Sequence, residues 1–336
     1  MATLRSSGAK AGAPYSPPPI PAENTSANPK ARLEKSIDLL QRSSSVFFNQ
    51  SGCVGCHHQT MTALAVRSAR AAGIRVDEAL AREQLSMITS QATATREAVL
   101  EGMDEGTPDI VLNLLEGLAG VGYQPDALTD AIVADLVVLQ RNDGSWKGDI
   151  GISRAPMQEG VISRTARVAH MLQVFEIPAR RAEFQDRIAR ARTWLLGSNP
   201  VTTDDAAMLV LGLSWTGGSP VRMRSAADHL IALQHEDCGL AGNRNLASDA
   251  FATGQALYAL LESGNLTASH LVHRSGVRYL LQRQYPDGSW YVRSRAVKVQ
   301  AYFESGFPFG HDQWISAAAT AWASMAVAAS IELPGS

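Results

Sequence analysis

The segment Leu139-Gln140-Arg141-Asn142-Asp143-Gly144-Ser145-Trp146 returns later in the chain as Leu281-Gln282-Arg283-Gln284-Tyr285-Pro286-Asp287-Gly288-Ser289-Trp290. Both copies carry Gln-x-x-x-Gly-x-Trp after an amphipathic stretch. A degenerate third copy runs Leu233-Gln234-His235-Glu236-Asp237-Cys238-Gly239-Leu240, and residues Arg192 to Leu196 end a fourth stretch of the same kind without the Gly-x-Trp tail. Self-similarity at a spacing of roughly 20–50 residues marks a repeat architecture.

The chemistry of the unit predicts its shape. Asp-Gly is expected to stop a helix, because glycine tolerates the left-handed conformation at a helix end. The tryptophan then folds back as a large plug between neighbouring units. An Ala-rich stretch with helical spacing follows each turn, at 161–175, 204–215, 249–261 and 315–329. Upstream, 33–41 pairs with 57–72, and 78–91 with 108–121. Strand signals are scarce. The expectation is an all-α (α/α)6 toroid of six helical hairpins over residues 31–332, with charged helices outside and small-faced helices inside.

The repeats at Gln140/Gly144/Trp146 and Gln284/Gly288/Trp290 resemble the QW motifs of squalene–hopene and oxidosqualene cyclases. The same toroid occurs in protein prenyltransferase β subunits, and the resemblance covers roughly residues 33–331. It implies a central cavity for a hydrophobic, isoprenoid ligand, and a terpene-cyclase-like enzyme (isomerase or lyase). Class II terpene cyclases carry Asp-x-Asp-Asp at an inner-helix start, the middle Asp donating a proton to an alkene or epoxide. Thr202-Thr203-Asp204-Asp205 is similar, with Asp204 in the middle place, Asp205 in the last and Thr202 replacing the first Asp. Both carboxylates also suit plain helix capping. The prenyltransferase zinc pattern of Asp-x-Cys is broken, since Phe251 follows Asp249 where Cys is needed. Protein prenylation is therefore not expected.

Inner helices of an alternating toroid run one way, so their N-termini share one mouth. Polar groups recur there: His57, His58, Asp109, Glu159, Asp204, Asp205, Asp249, His311 and Asp312. Capping accounts for Thr107-Pro108-Asp109 and Ser248-Asp249. It does not account for Cys53-Val54-Gly55-Cys56-His57-His58. Cys-x-x-Cys-His is the attachment signature of c-type haem, and thiolates with imidazoles also suit zinc. Cys53, Cys56 and His57 are therefore candidate cofactor residues for covalent haem or zinc. With His58, and with His311 or Asp312 brought near by ring closure, they form the candidate metal set. An inert or disulfide-linked loop is the third possibility. His311 is also a candidate catalytic base beside Asp204 and Asp205. The run Tyr302 to His311 offers aromatic rings either to the mouth of the barrel or to its rim. The competing functional reading is a non-catalytic haem electron-transfer or sensing module on a toroid scaffold.

The totals narrow the classes. Of 336 residues, 45% are apolar and 18% charged, enough for a large core, and three cysteines are too few for a disulfide scaffold. A net charge of −2 leaves no basic footprint for nucleic acid. Residues 1–30 are rich in Pro and small polar groups and read as a solvated linker. No signal peptide is evident, which points to the cytoplasm, whereas haem attachment or a missing leader would place the chain outside it. Residues 313–331 carry no charge, yet are mostly Ala, Ser and Thr, a poor membrane span. They read as a helix buried all round.

Overall fold

Glycine, proline and hydroxyl side chains punctuate this chain into helices. The computed structural model describes residues 16–20, 28–101, 108–148, 155–157, 160–296 and 301–331. Thr107 and Glu159 lie outside the described residues. Odd-numbered helices form the outer layer: α1 (Pro29–Ser51), α3 (Glu78–Leu100), α5 (Ala127–Val138), α7 (Arg181–Leu196), α9 (Pro220–Ile231) and α11 (Leu271–Arg283). Even-numbered helices form the inner layer: α2 (Met61–Ala71), α4 (Asp109–Gly120), α6 (Val161–Val174), α8 (Thr203–Thr216), α10 (Ala250–Glu262) and α12 (Gln313–Ala328). A π-helical turn, Cys56–Thr60, leads into α2.

Each inner helix packs on the next, and α12 packs on α2, so the ring closes. Their direction is shared. Asp109 pairs with Arg164 near the starts of α4 and α6, and Glu116 pairs with Arg167 further along both. Close approach explains the small residues. A Cβ on Gly212 would stand 2.6 Å from Ala166 Cβ, and one on Gly254 would stand 2.6 Å from the Ala323 nitrogen. The uncharged segment expected to be buried is α12, almost all of whose side chains are inside. No helix among the described residues is long and apolar enough to cross a membrane.

Outer helices α1 and α3 run further than the predicted 33–41 and 78–91. Their later turns hold Ser and Thr that donate to carbonyls one turn back: Thr89 to Leu85 (2.8 Å), Thr93 to Thr89 (2.9 Å) and Ser51 to Phe47 (2.8 Å). Such hydroxyls satisfy themselves within a helix instead of ending it. Gly52 finally stops α1 with φ 68°.

The repeated turns share one hydrogen-bond plan. Gln140 Nε2 donates to the Gly144 carbonyl (3.0 Å) and to Arg187 O on the next outer helix (2.9 Å). Gln234 Nε2 likewise reaches Cys238 O (2.9 Å) and Val272 O (3.1 Å). Gln284 closes the ring: its Nε2 donates to Ser36 Oγ (2.7 Å), while its Oε1 accepts from Arg32 Nε (2.7 Å). The tryptophans lie over their own outer helices, Trp146 Nε1 donating to Leu136 O (2.6 Å) and Trp290 Nε1 to Leu280 O (2.8 Å). Both are fully buried. Backbone N–H groups of Trp146, Leu240 and Trp290 donate to Thr165, Thr253 and Thr320 of the inner helices.

The glycine of the motif does not stop the helix, as its Asp-Gly had suggested. Helix α5 already ends at Val138, and Gly144 sits in the turn beyond, with φ 93°. Its counterpart Gly288 has φ 93° too, and a Cβ there would meet the Ser36 nitrogen at 2.5 Å. Glycine is thus needed for conformation and for contact with the next outer helix. Cys238 occupies the same place in the third repeat at φ 66°, a strained state for a residue with a side chain. We expect Gly288→Ala to cost about 2–4 kcal/mol and Cys238→Gly to add about 0.5–1 kcal/mol. Urea unfolding followed by circular dichroism measures both. A neutral Gly288→Ala would contradict this account of the turn.

Candidate functional site

Inside the inner ring lies an axial cavity of ≈480 Å³. Helical spacing builds its walls. Asp204, Met208, Leu211 and Trp215 descend one face of α8, and Phe251, Gln255, Tyr258 and Glu262 descend one face of α10. Helix α2 contributes Met61, Leu64 and Arg67, and α12 contributes Trp322 and Met325. Exposure changes along the axis. At the N-terminal end Asp204 is 6% exposed, Phe251 2% and Gln255 1%, whereas Arg67 and Glu262 at the other end are exposed. Beyond Asp204 a smaller hollow of ≈200 Å³ lies beside Asn243 and Arg295.

Adjacent carboxylates take opposite roles here. Asp204 faces the cavity and accepts from Gln255 Nε2 at 2.7 Å. Asp205, about 100° further round the helix, turns away and closes a capping box with Thr202. It accepts from the Val201 and Thr202 nitrogens (both 3.2 Å) and lies where a Cβ on Gly160 would be 2.2 Å from its Oδ1. The geometry therefore makes Asp205 a helix-start clamp and sets Asp204 in the cavity wall, whose other carboxyl groups are Glu116 and Glu262.

Four cavity groups went unnoticed in the sequence. Arg167 is held by Glu116 and donates to Asn113 Oδ1 (3.0 Å). Burial works against its charge, but Glu116 outweighs that and keeps the guanidinium protonated. Gln255 holds Asp204. His170 stacks on Trp215 with ring centroids 4.2 Å apart, and burial pushes its pKa down, so the imidazole is neutral near pH 7. Glu116 and Gln255 are polar positions within largely apolar helices, which was the available signal, whereas Arg167 and His170 share α6 with Arg164 and Gln173 and did not stand out. Aromatic faces line the same space: Phe251 and Tyr258 flank Trp322, with centroids 6.5 and 5.5 Å away.

At the barrel's N-terminal end, the Cys-x-x-Cys-His-His segment lies against α1 and α12. A Cβ on Gly55 would approach the Phe47 ring to 2.9 Å, so the loop lies flat on that ring. Cys53 is exposed and Cys56 buried. The His57 ring stacks on Trp314 (5.2 Å, 6° between planes) and the His58 ring on Phe47 (4.6 Å, 20°). Hydrogen bonds order the protons. Gln313 Nε2 donates to Phe303 O (2.9 Å), so its Oε1 is the acceptor for Ser305 N (2.7 Å) and Ser305 Oγ (2.5 Å). With its proton so placed, Ser305 Oγ accepts from His58 Nε2–H at 3.0 Å. Burial, aided by His57, holds His58 well below the ordinary histidine range, so it is neutral and its Nδ1 bears a lone pair. His57 Nδ1–H then donates to it across 2.6 Å.

The sixth hairpin does meet the first here, but through Ser305 and Gln313. His311 lies exposed against Tyr302 (4.3 Å between centroids). Asp312 is buried and accepts from Tyr291 Oη (2.9 Å) and Ser294 N (3.0 Å), fastening its own loop. Among the described residues, no three His, Cys, Asp or Glu side chains gather as a metal site. Of the candidate set Cys53, Cys56, His57, His58, His311 and Asp312, His57 and His58 are in hydrogen-bond contact. Asp249 caps α10, donating no side chain to the cavity, and accepts from Ala252 N at 2.9 Å. The run Tyr302 to His311 lies on the rim. Phe307 and Phe309 are buried in the core, and none of these residues lines the axial cavity.

No family model matches this chain, and no curated protein matches it. Solved structures do. The type II terpene cyclase MstE from Scytonema without ligand aligns with a TM-score of 0.53 and 14% identity, over 89% of this chain and 98% of that one. A variant of MstE in complex with its product, merosterolic acid A, gives 0.52 and 14%, over 89% and 98%. A protein from Actinoplanes gives 0.56 and 15%, over 90% and 99%. The all-helical toroid is therefore the fold of this chain.

His170 generates a pH prediction. Its folded pKa lies below the unfolded value, so the unfolded chain binds a proton that the folded chain refuses. Stability is complete above about pH 6.5 and falls as pH drops below it. Replacing His170 by Phe, which keeps the stack on Trp215, should flatten that decline by up to about 1.4 kcal/mol per pH unit. Urea midpoints between about pH 7 and 5 report this, and an unchanged slope would count against a buried neutral His170.

Proposed function

We propose that the axial cavity takes up a polyprenyl chain and that Asp204 starts its cyclisation by protonating the terminal alkene or epoxide. The observation that carries this reading is the placement of one buried carboxyl group at the deep end of an elongated, aromatic-lined cavity. Its volume of ≈480 Å³ falls within the range of about 300–1,000 Å³ typical of small-molecule pockets. An extended chain entering from the Arg67–Glu262 end would bring its far terminus to Asp204.

The reaction asks three things of the walls. An acid strong enough for an alkene must be delivered protonated, which a dry site favours. Gln255 orients the carboxyl group by donating to its Oδ1, a positioning role. The cationic intermediates then need electron-rich faces without nucleophiles. Trp322, Phe251 and Tyr258 supply those faces by cation–π attraction. Loss of a proton ends the sequence, so the overall change is an isomerisation. A variant of the neighbour MstE, solved in complex with its substrate geranylgeranyl dihydroxybenzoate, supports a prenylated substrate class.

Paired variants test the assignment. Asp204→Asn should reduce turnover of a polyprenyl substrate by at least about 10³-fold, within the loss expected for a removed general acid, with unchanged helix content. Asp205→Ala should lower stability by about 1 kcal/mol through the lost cap and retain turnover. Equal loss of turnover in both, or none in either, would remove Asp204 as the acid. Gas chromatography of extracted products gives the readout.

A further inference from the structure

Deep in the axial cavity the charged groups are matched, Glu116 with Arg167 and Asp204 with Gln255. The open end differs. Arg67 of α2 lines it, yet among the described residues no carboxylate lies within 4.0 Å of its guanidinium and no hydrogen-bond acceptor reaches it. On the polyprenyl reading above, we propose that Arg67 and Tyr258 form a carboxylate subsite, holding the anionic head of a prenylated acid whose chain runs inward to Asp204. Three observations carry this.

The first is position. Leu64, Arg67, Ser68 and Ala71 recur at helical spacing, so one stripe of α2 faces the cavity and brings the cation with it. Arg67 is exposed, whereas Phe251 and Gln255 at the far end are almost wholly buried. A prenyl chain is therefore dry along its length while its charged head keeps water, so burying the chain does not strip the head of solvent.

The second is Tyr258. Its ring packs in the wall against Trp322 (5.5 Å between centroids), and its hydroxyl has no hydrogen-bond partner among the described residues. Burial raises its pKa, Glu262 adding to the rise and Arg67 opposing it, so the phenol keeps its proton near pH 7 and both charges act on it. A phenol O–H beside a guanidinium is a donor pair suited to the two oxygens of a carboxylate.

The third is the count of charge. The same end holds Glu262, exposed and also unpaired among the described residues, and His170, which is neutral. The inner helices direct their C-terminal, partly negative ends this way. Against that background one guanidinium suits a single negative charge, and the two or more charges of a diphosphate would be left uncompensated.

Isothermal titration of the full chain with geranylgeranoic acid and with geranylgeraniol, which differ in the head alone, tests the subsite. The acid should bind more tightly. Arg67→Gln should weaken the acid by about 10–100-fold, the loss expected for a charge-assisted hydrogen bond, and leave the alcohol within about threefold. Tyr258→Phe should weaken the acid by a smaller factor, Glu262→Gln should strengthen it, and Arg67→Lys should restore part of what Arg67→Gln loses. Helix content by circular dichroism should stay the same in the Arg67 variants, since that side chain is exposed and holds no neighbour by hydrogen bond or ion pair among the described residues. Equal affinity for acid and alcohol, equal losses for both in Arg67→Gln, or no binding of either would overturn the subsite. So would a tighter hold on geranylgeranyl diphosphate than on the acid. Arg67-dependent binding of the acid without any cyclised product would leave the subsite standing and remove Asp204 as the proton donor. Turnover that needs Asp204 but is indifferent to Arg67 would do the reverse.

Discussion

A side-chain amide turns six hairpins into a ring. Gln284 hydrogen-bonds its own turn and the first outer helix at once, through Arg32 and Ser36. A net hydrogen bond contributes only about 1 kcal/mol, but leaving its buried partners unmet costs more. Closure therefore depends on a residue that satisfies several groups together. Gln140 and Gln234 repeat the arrangement between successive hairpins. Each also fixes where the following tryptophan or leucine meets its inner helix. Six inner helices then stand parallel, close enough that glycine and alanine are needed at their contacts.

The ring leaves an axial space that its own backbone cannot fill, and this space separates two kinds of chemistry. Polar groups in it are matched in pairs: Glu116 with Arg167, Asp204 with Gln255. A buried ion pair is a poor source of stability, since desolvation offsets most of the attraction. Its retention beside a cavity suits a site that must hold charge in a set place. The second chemistry lies at the N-terminal end, where first and last hairpins meet and the His57–His58–Ser305–Gln313 relay spans the seam.

Much of the ring was legible in the sequence because its turns demand specific residue types. Gln, Gly and Trp at set spacing reported the turn, and Ala-rich periodic stretches reported the inner helices. The inner-helix positions agree to within a few residues, apart from the π-helical start at Cys56–Thr60. Less legible was the third repeat, where Cys238 takes the positive-φ place that glycine holds elsewhere. Side-chain direction was the main thing hidden. Asp204 and Asp205 are neighbours in sequence but point to different spaces, and only the packed ring decides which faces inward. Glu116, Arg167 and His170 needed knowledge of the opposite helix. The expectation for His311 and Asp312 rested on ring closure, which does bring the last hairpin to the first. It brings Ser305 and Gln313 instead, because Asp312 is spent fastening Tyr291 and Ser294.

The most direct test of the central claim is a crystal structure of the chain with an unreactive polyprenyl analogue, read for the position of its terminal isopropylidene group. The account predicts that group beside Asp204, among Phe251, Trp322 and Gln255, with the head toward Arg67. Density for the chain outside the axial cavity, or with its head group at Asp204, would contradict it.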